Sequence, residues 1–336
     1  MSEKIFTKLL EKQSLTEEES YNFFKEIMEG KISPVKTSVF LTLLKVKGET
    51  SSEIIGAVKL LRDKAIKVKV NKHQIVDTCG TGGDCSNTFN ISTAVSILVS
   101  ACGLCVAKHG NRSVTSKCGS ADVMEALGYK IDISPEKNKE VLEKFGFAFF
   151  YAPLYHQAMK NVSEVRKELG FRTIFNIIGP LCNPAGANLQ IMGVNDYKLL
   201  KIIPIVFQKL RINGAIFYGE DGIDEITLTG KTYLVEVINE KINEKEIEPK
   251  IFGFKKCSLK ELQGGNVAEN KKIIEKILKG EEKGPKRDIV ILNALPLLKI
   301  SGIVKNFDEG IFLAEKILDS GKAYTKLQEI IEFVNK

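Results

Sequence analysis

Apolar positions in the first seventy residues recur with helical spacing. Ile5, Leu9 and Leu10 begin one helix; Tyr21, Phe24, Ile27 and Met28 mark a second behind the acidic start at residues 17–19; Val39, Leu43, Leu44 and Val46 mark a third after Pro34. Ser51-Ser52-Glu53 caps a fourth that runs to Leu61. These predict a small all-α domain over residues 1–66. Beyond Lys72 the pattern changes to short apolar runs followed by glycines and helical stretches. Strands are expected at 74–78, 104–107, 147–151, 190–194 and 215–218, and helices at 91–101, 121–127, 136–144 and 197–210. A hairpin is expected over 227–238 around Gly230-Lys231, with closing helices at 271–278 and 312–318. Alternating strand and helix predicts an α/β domain over residues 72–336, with a central sheet between helices.

Composition narrows the function classes. The 336 residues are 43% apolar and 27% charged with mean hydropathy −0.04, which excludes a disordered or fibrous chain. Net charge is +7, but only six of the 49 cations are Arg. Each Arg is therefore a better candidate for bidentate recognition of a carboxylate or phosphate than any Lys. Lys alternates with Glu over 240–256, which reads as solvated surface and not as a nucleic-acid face. Seven cysteines, an odd number, with no secretion-like N-terminus, predict free thiols in a cytoplasmic protein. Residues 85–107 carry no charge, enough to span a bilayer on length alone. Ser92, Ser96 and Ser100 recur every four residues there, so a buried helix with a small polar stripe is expected, and no membrane partner.

The chemistry gathers in three places. Asp77-Thr-Cys-Gly-Thr-Gly-Gly-Asp84 lies between a strand and a helix start; its glycines either turn backbone N–H groups toward an anion or serve only a tight turn. It is neither a Walker loop nor a dinucleotide fingerprint. Asn90-Ile-Ser-Thr93 sets an amide and two hydroxyls at the helix start, for capping or for a phosphate or metal. Lys108-His-Gly-Asn-Arg112, Thr115-Ser116 and Gly119-Ser-Ala-Asp122 then concentrate donors at the carboxyl end of a strand, where open α/β sheets bind ligands. Finally, Asp224 and Glu225 follow the strand at 215–218; they are either a solvated loop tip or hard ligands for Mg²⁺ on a phosphate ester.

Taken together, Gly80 to Asp84, Phe89 to Thr93, Lys108 to Arg112, Gly119 to Val123, Val165 to Gly170, Arg172 to Asn176, Gly179 to Pro184 and Asp221 to Glu225 resemble the anthranilate phosphoribosyltransferase family, in order and over nearly the whole chain. The resemblance implies a small helical domain joined to a large α/β domain of nucleoside phosphorylase type with a largely parallel sheet. A helical segment near 153–171 would pack on the small domain, the site would lie in a cleft between the domains, and the protein would be a homodimer. It also implies transfer of phosphoribose from phosphoribosyl diphosphate to the amine of anthranilate, with Mg²⁺ as cofactor.

By position, the resemblance assigns phosphoribosyl diphosphate to Gly80, Gly83, Asp84, Thr88, Asn90, Ile91, Ser92, Thr93, Lys108, His109, Gly110, Asn111, Arg112, Ser113, Val114, Thr115, Ser116 and Ser120. Metal ligands would be Ser92, Asp224 and Glu225, and the catalytic groups Lys108, Asp224 and Glu225. Anthranilate would meet Gly80, His109, Asn111, His156 and Arg166. His109 fits loop packing as well, and Arg166 fits an exposed pair with Glu164 or Glu168. Four positions depart from the family pattern: Cys79, Cys85 where Gly is usual, Thr115 for Ser, and Gln157 for Pro. Two other readings are weighed: a nucleoside phosphorylase, which would leave Asp224 and Glu225 without a task, and an idle nucleic-acid binder, which would show salt-dependent DNA affinity.

Overall fold

The computed structural model describes residues 2–113 and 117–336. Four helices open the chain: α1 (Ser2–Leu10), α2 (Glu17–Met28), α3 (Pro34–Lys47) and α4 (Ser51–Lys64). Next come β1 (Val76–Asp77), α5 (Ile91–Ala101), β2 (Val106–Gly110), α6 (Ser120–Ala126), α7 (Pro135–Phe145) and β3 (Phe147–Tyr151). After α8 (Ala152–Tyr155), α9 (Lys160–Leu169) and α10 (Ile174–Ile178) the chain forms β4 (Leu189–Gly193), α11 (Leu199–Leu210), β5 (Asn213–Gly219), β6 (Thr232–Ile238) and β7 (Lys241–Ile247). It ends in α12 (Val267–Leu278), α13 (Pro285–Ile300), α14 (Phe307–Asp319) and α15 (Lys322–Val334). These elements pack as two compact units, Met1–Lys67 with Pro153–Pro184, and Val68–Ala152 with Ala185–Lys336.

In the helical unit, capping fixes where helices start. Thr16 with Glu19, and Thr50 with Glu53, form capping boxes for α2 and α4; Ser33 caps α3 with Pro34 in its first turn. Glu53 is fully buried because its oxygens are all engaged: Oε1 accepts the Leu15 N–H at 2.9 Å, and Oε2 accepts the Thr50 N–H and the Lys47 ammonium at 2.9 Å. Phe23 and Phe24 meet Phe40 in the core. Residues 153–184 join this unit through Phe175 edge-on to Phe24, Asn161 donating to the Met28 carbonyl and Arg62 donating to the Leu181 carbonyl.

The α/β unit is built on one seven-stranded sheet of order β3-β2-β1-β4-β5-β6-β7, with β1 to β5 parallel and β6 and β7 antiparallel additions. Strand order reverses between β1 and β4, which opens a crevice at the carboxyl ends of these two strands. Two expectations change. The hairpin joins β6 to β7 and turns at Asn239-Glu240, both at positive φ, while Gly230 and Lys231 precede β6. Helix α13 was not expected at all: it packs against α5, α14 and β5, and residues 289–298 are buried all round, so no amphipathic stripe marks it. The uncharged stretch over 85–107 holds the eleven-residue α5 and the start of strand β2, and no helix among the described residues is long and apolar enough to cross a membrane.

Candidate active site

Loops leaving the carboxyl ends of β1, β2, β4 and β5 are hydrogen-bonded to one another. From β1, Thr81 N–H donates to the Gly193 carbonyl at the end of β4 at 2.9 Å, and the Asn195 amide donates to the Gly83 carbonyl at 3.2 Å. Gly82 and Gly83 both take positive φ, which lets their N–H groups turn as an anion cradle requires. From β5, Asp224 reaches across: its Oδ2 accepts the Gly82 N–H at 2.7 Å, and its own N–H donates to Asp84 at 3.4 Å. This approach needs glycine at 193, where a Cβ would overlap the Asp224 carbonyl; at Gly80 a Cβ would lie 2.9 Å from the Gly193 carbonyl. Gly193, Asn195 and Gln190, which donates to the Cys79 carbonyl at 3.1 Å, were not singled out from sequence. Their only signal was a position within or just after the strand expected at 190–194.

Lys108 and His109 lie within β2, which runs past the expected strand end at residue 107 and pairs them with Phe149 and Phe150 of β3. Lys108 is 2% exposed, yet its ammonium reaches the Thr78 carbonyl at 3.2 Å and the Ser92 hydroxyl at 3.4 Å. Asp77, also buried, holds this geometry by accepting the Thr78 and His109 N–H groups. Ser92, Thr93 and Ile91 form the first turn of α5, with Asn90 at its N-cap, where the helix supplies partial positive charge. Asn111 and Ser120 are joined by reciprocal contacts of 3.2 and 3.3 Å. Arg112 differs: Asp122 at 3.1 Å and Glu125 at 2.5 Å already take up its charge, and its guanidinium lies over Tyr151. Asp122 also accepts the Ser113 N–H at 3.1 Å. Thr88 bridges to Gln263. Val114, Thr115 and Ser116 lie outside the described residues.

Charge in this crevice is strongly coupled. Burial, with Asp224 beside it and Asp84 further off, raises the Glu225 carboxyl well above the usual carboxylate range; Lys108 and a hydrogen bond from the Ser92 backbone work against that rise. Such a concentration of carboxylate charge calls for a cation. Among the described residues no set of three His, Cys, Asp or Glu side chains is placed to hold a metal unaided. The donors present, two adjacent carboxylates and a serine hydroxyl, fit an ion that takes its other ligands from phosphate and water, as Mg²⁺ does.

His156 and Arg166 belong to the helical unit. Burial pushes His156 down to about 4 against its hydrogen bond with the Cys182 backbone, so the ring is neutral near pH 7. Arg166 is half-buried in α9, lies over the Phe175 ring at 5.4 Å, and has no carboxylate partner among the described residues; the pairing with Glu164 or Glu168 does not form. All seven cysteines are free thiols.

Comparison with known proteins decides the family. The model of a glycosyl transferase family helical bundle domain matches residues 3–65, and that of a glycosyl transferase family a/b domain matches residues 72–324. Anthranilate phosphoribosyltransferase of Acetivibrio thermocellus is 49% identical over 336 residues, 100% of this chain and 97% of that protein. The chain belongs to the anthranilate phosphoribosyltransferase family. Two solved structures extend the match. The anthranilate phosphoribosyltransferase of Thermus thermophilus superposes with TM-score 0.93 at 37% identity over 99% of both chains. The Saccharomyces cerevisiae anthranilate phosphoribosyltransferase, in complex with PRPP and Mg, gives TM-score 0.92 at 28% identity over 99% of this chain and 98% of that one. The family reaction moves the phosphoribosyl group of 5-phosphoribosyl 1-diphosphate to the amine of anthranilate, in tryptophan biosynthesis.

Proposed function

We propose that this chain carries out that transfer at the crevice between β1 and β4, with the diphosphate on the Gly80–Asp84 cradle and the phosphoribosyl end at Thr88 and Asn90–Thr93. The observation that carries the assignment is that Gly82 bonds Asp224, Lys108 bonds Ser92, and the Ser92 backbone bonds Glu225, next to Asp224, so the glycine, lysine and acidic segments meet at one place. Breaking the C1–O bond leaves negative charge on diphosphate and positive charge on the ribose ring. Lys108, held by Thr78 and Ser92, and the N–H groups of Gly80 and Gly83 stabilise the departing anion, and no covalent nucleophile is needed. Ser92, Asp224 and Glu225 would hold Mg²⁺, which when bound supplies charge neutralisation at the diphosphate.

His109, Gly110, Asn111, Ser113 and Ser120 complete the donor site, with Arg112 contributing once released from Asp122 and Glu125. By family position the anthranilate contacts are Gly80, His109 and Asn111 in the α/β unit and His156 and Arg166 in the helical unit, where the Arg166 guanidinium, without a carboxylate partner among the described residues, suits bidentate binding of the anthranilate carboxylate. Seven free thiols support a cytoplasmic setting. Leu10 on α1 and Val35, Val39 and Val46 on α3 expose an apolar face of the helical unit, which supports a homodimer through that face. The test mixes protein, anthranilate, phosphoribosyl diphosphate and Mg²⁺ and follows anthranilate fluorescence. Loss of fluorescence that stops on chelation is expected; phosphorolysis of a nucleoside without Mg²⁺ would overturn the reading.

A further inference from the structure

Asn90 is held from a distant part of the chain. Residues 262–270, between β7 and the first turns of α12, run beside residues 87–90: the Phe89 N–H donates to the Leu262 carbonyl at 3.1 Å, Gly264 N–H donates to the Asn87 carbonyl at 2.9 Å, and Thr88 bridges to Gln263. Asn270 closes this contact. It is 2% exposed; its Oδ1 accepts the Asn90 N–H at 3.3 Å, and its Nδ2 donates to the Gly265 and Asn266 carbonyls at 2.9 and 3.0 Å. Gly264 makes room, since a Cβ there would lie 2.6 Å from Asn270 Oδ1 and 2.7 Å from the Phe89 Cα.

The consequence falls on the Asn90 side chain. Its Nδ2 donates to the Cys118 carbonyl at 3.0 Å and its backbone N–H is taken by Asn270, while its Oδ1 is buried with no hydrogen-bond partner among the described residues. A buried acceptor left open costs free energy unless a ligand donor fills it. A cavity of about 130 Å³ is lined by residues that neighbour Asn90 in the chain or bond to it, Thr88, Cys118 and Asn270, together with Lys117, Gln263 and Gly264 among others.

We propose that Asn270 is a positioning residue for phosphoribosyl diphosphate: from α12 it fixes the Asn90 backbone so that the Asn90 Oδ1 is presented to a hydroxyl of the bound ribose. The inference rests on placing that substrate at residues 80–93. Its test is steady-state kinetics of Asn270→Leu, Gly264→Ala and Ser92→Ala. Asn270→Leu and Gly264→Ala are expected to raise KM for phosphoribosyl diphosphate about tenfold, with kcat within about threefold and KM for anthranilate unchanged.

An unchanged KM in Asn270→Leu beside a raised KM in Ser92→Ala overturns the inference alone. Unchanged KM in both overturns the substrate placement and the inference with it. Equal loss in kcat and both KM values reduces Asn270 to a structural role and overturns the inference. Should the variants not fold, hydrogen exchange on the parent protein decides: the Asn90 amide is expected to be protected before any ligand is added, and rapid exchange there contradicts the clamp.

Discussion

The Asp224 carboxylate rests on the backbone of Gly82, accepting its N–H at 2.7 Å across 142 residues of chain. The acidic loop and the glycine loop thus form one unit, and the same carboxylate that orders the cradle is placed to face a cation. Asp224→Asn separates the two roles, because an amide oxygen still accepts from Gly82 but carries no charge. Turnover is expected to fall about 100-fold with the melting temperature unchanged, whereas Asp224→Ala loses both. Near-normal turnover in Asp224→Asn would leave the carboxylate with a loop-ordering role only.

Arg166 presents a guanidinium with no acidic partner among the described residues, stacked on Phe175. Arg166→Ala is expected to raise KM for anthranilate about tenfold or more while leaving KM for phosphoribosyl diphosphate in place. Arg166→Lys should recover little, since an ammonium cannot form the bidentate fork. Kinetics with each substrate varied in turn checks this; an equal rise in both KM values would contradict it.

Cys85 adopts φ +59°, a left-handed conformation that glycine accepts freely. A side chain there costs about 1–2 kcal/mol, part of which is offset by the freedom glycine adds to the unfolded chain, about 0.5–1 kcal/mol. Cys85→Gly is expected to stabilise the protein by about 0.5–1 kcal/mol, and Cys85→Ala to give no gain. Denaturant midpoints of the two variants compare them directly.

His156 is held neutral, with its folded value near 4 against an ordinary 6.5. Between these values the unfolded chain binds a proton that the folded chain refuses, so the stability from the neutral ring is complete above pH 6.5 and is lost as pH falls toward 4. The loss amounts to roughly 2–4 kcal/mol. His156→Asn should flatten the pH dependence of unfolding in that window; parallel curves for parent and variant would show that another group is responsible.

The parts of this molecule most legible in the sequence were those where local pattern and chemistry coincide. Strands ending in glycine or in clustered polar residues, such as β2 and β4, and helices opening on Ser or Thr with Glu three residues on, such as α4, could be read directly. Helix α13 was hidden because burial on every side erases amphipathic period, and Pro296 interrupts it further. Strand β7 was hidden for the opposite reason: as an edge strand of Lys, Asn and Glu it is exposed on six of its seven residues to some degree. In the candidate site, Gly193 and Asn270 were illegible because their task is set by neighbours 31 and 180 residues away, Asp224 and Asn90, which only the fold brings near. Lys108 was found by motif, but its burial in a strand follows from pairing with β3, which no local pattern reveals.

The central claim is that a magnesium-bridged phosphoribosyl diphosphate occupies the crevice where the glycine loop, Lys108 and the acidic loop meet. A crystal structure of the protein soaked with phosphoribosyl diphosphate and Mn²⁺, with anomalous scattering to locate the metal, tests it most directly. Metal is expected on Asp224 and Glu225, with diphosphate oxygens on the amides of Gly80 and Gly83. Donor bound elsewhere, or metal absent from the acidic pair at full donor occupancy, would contradict it.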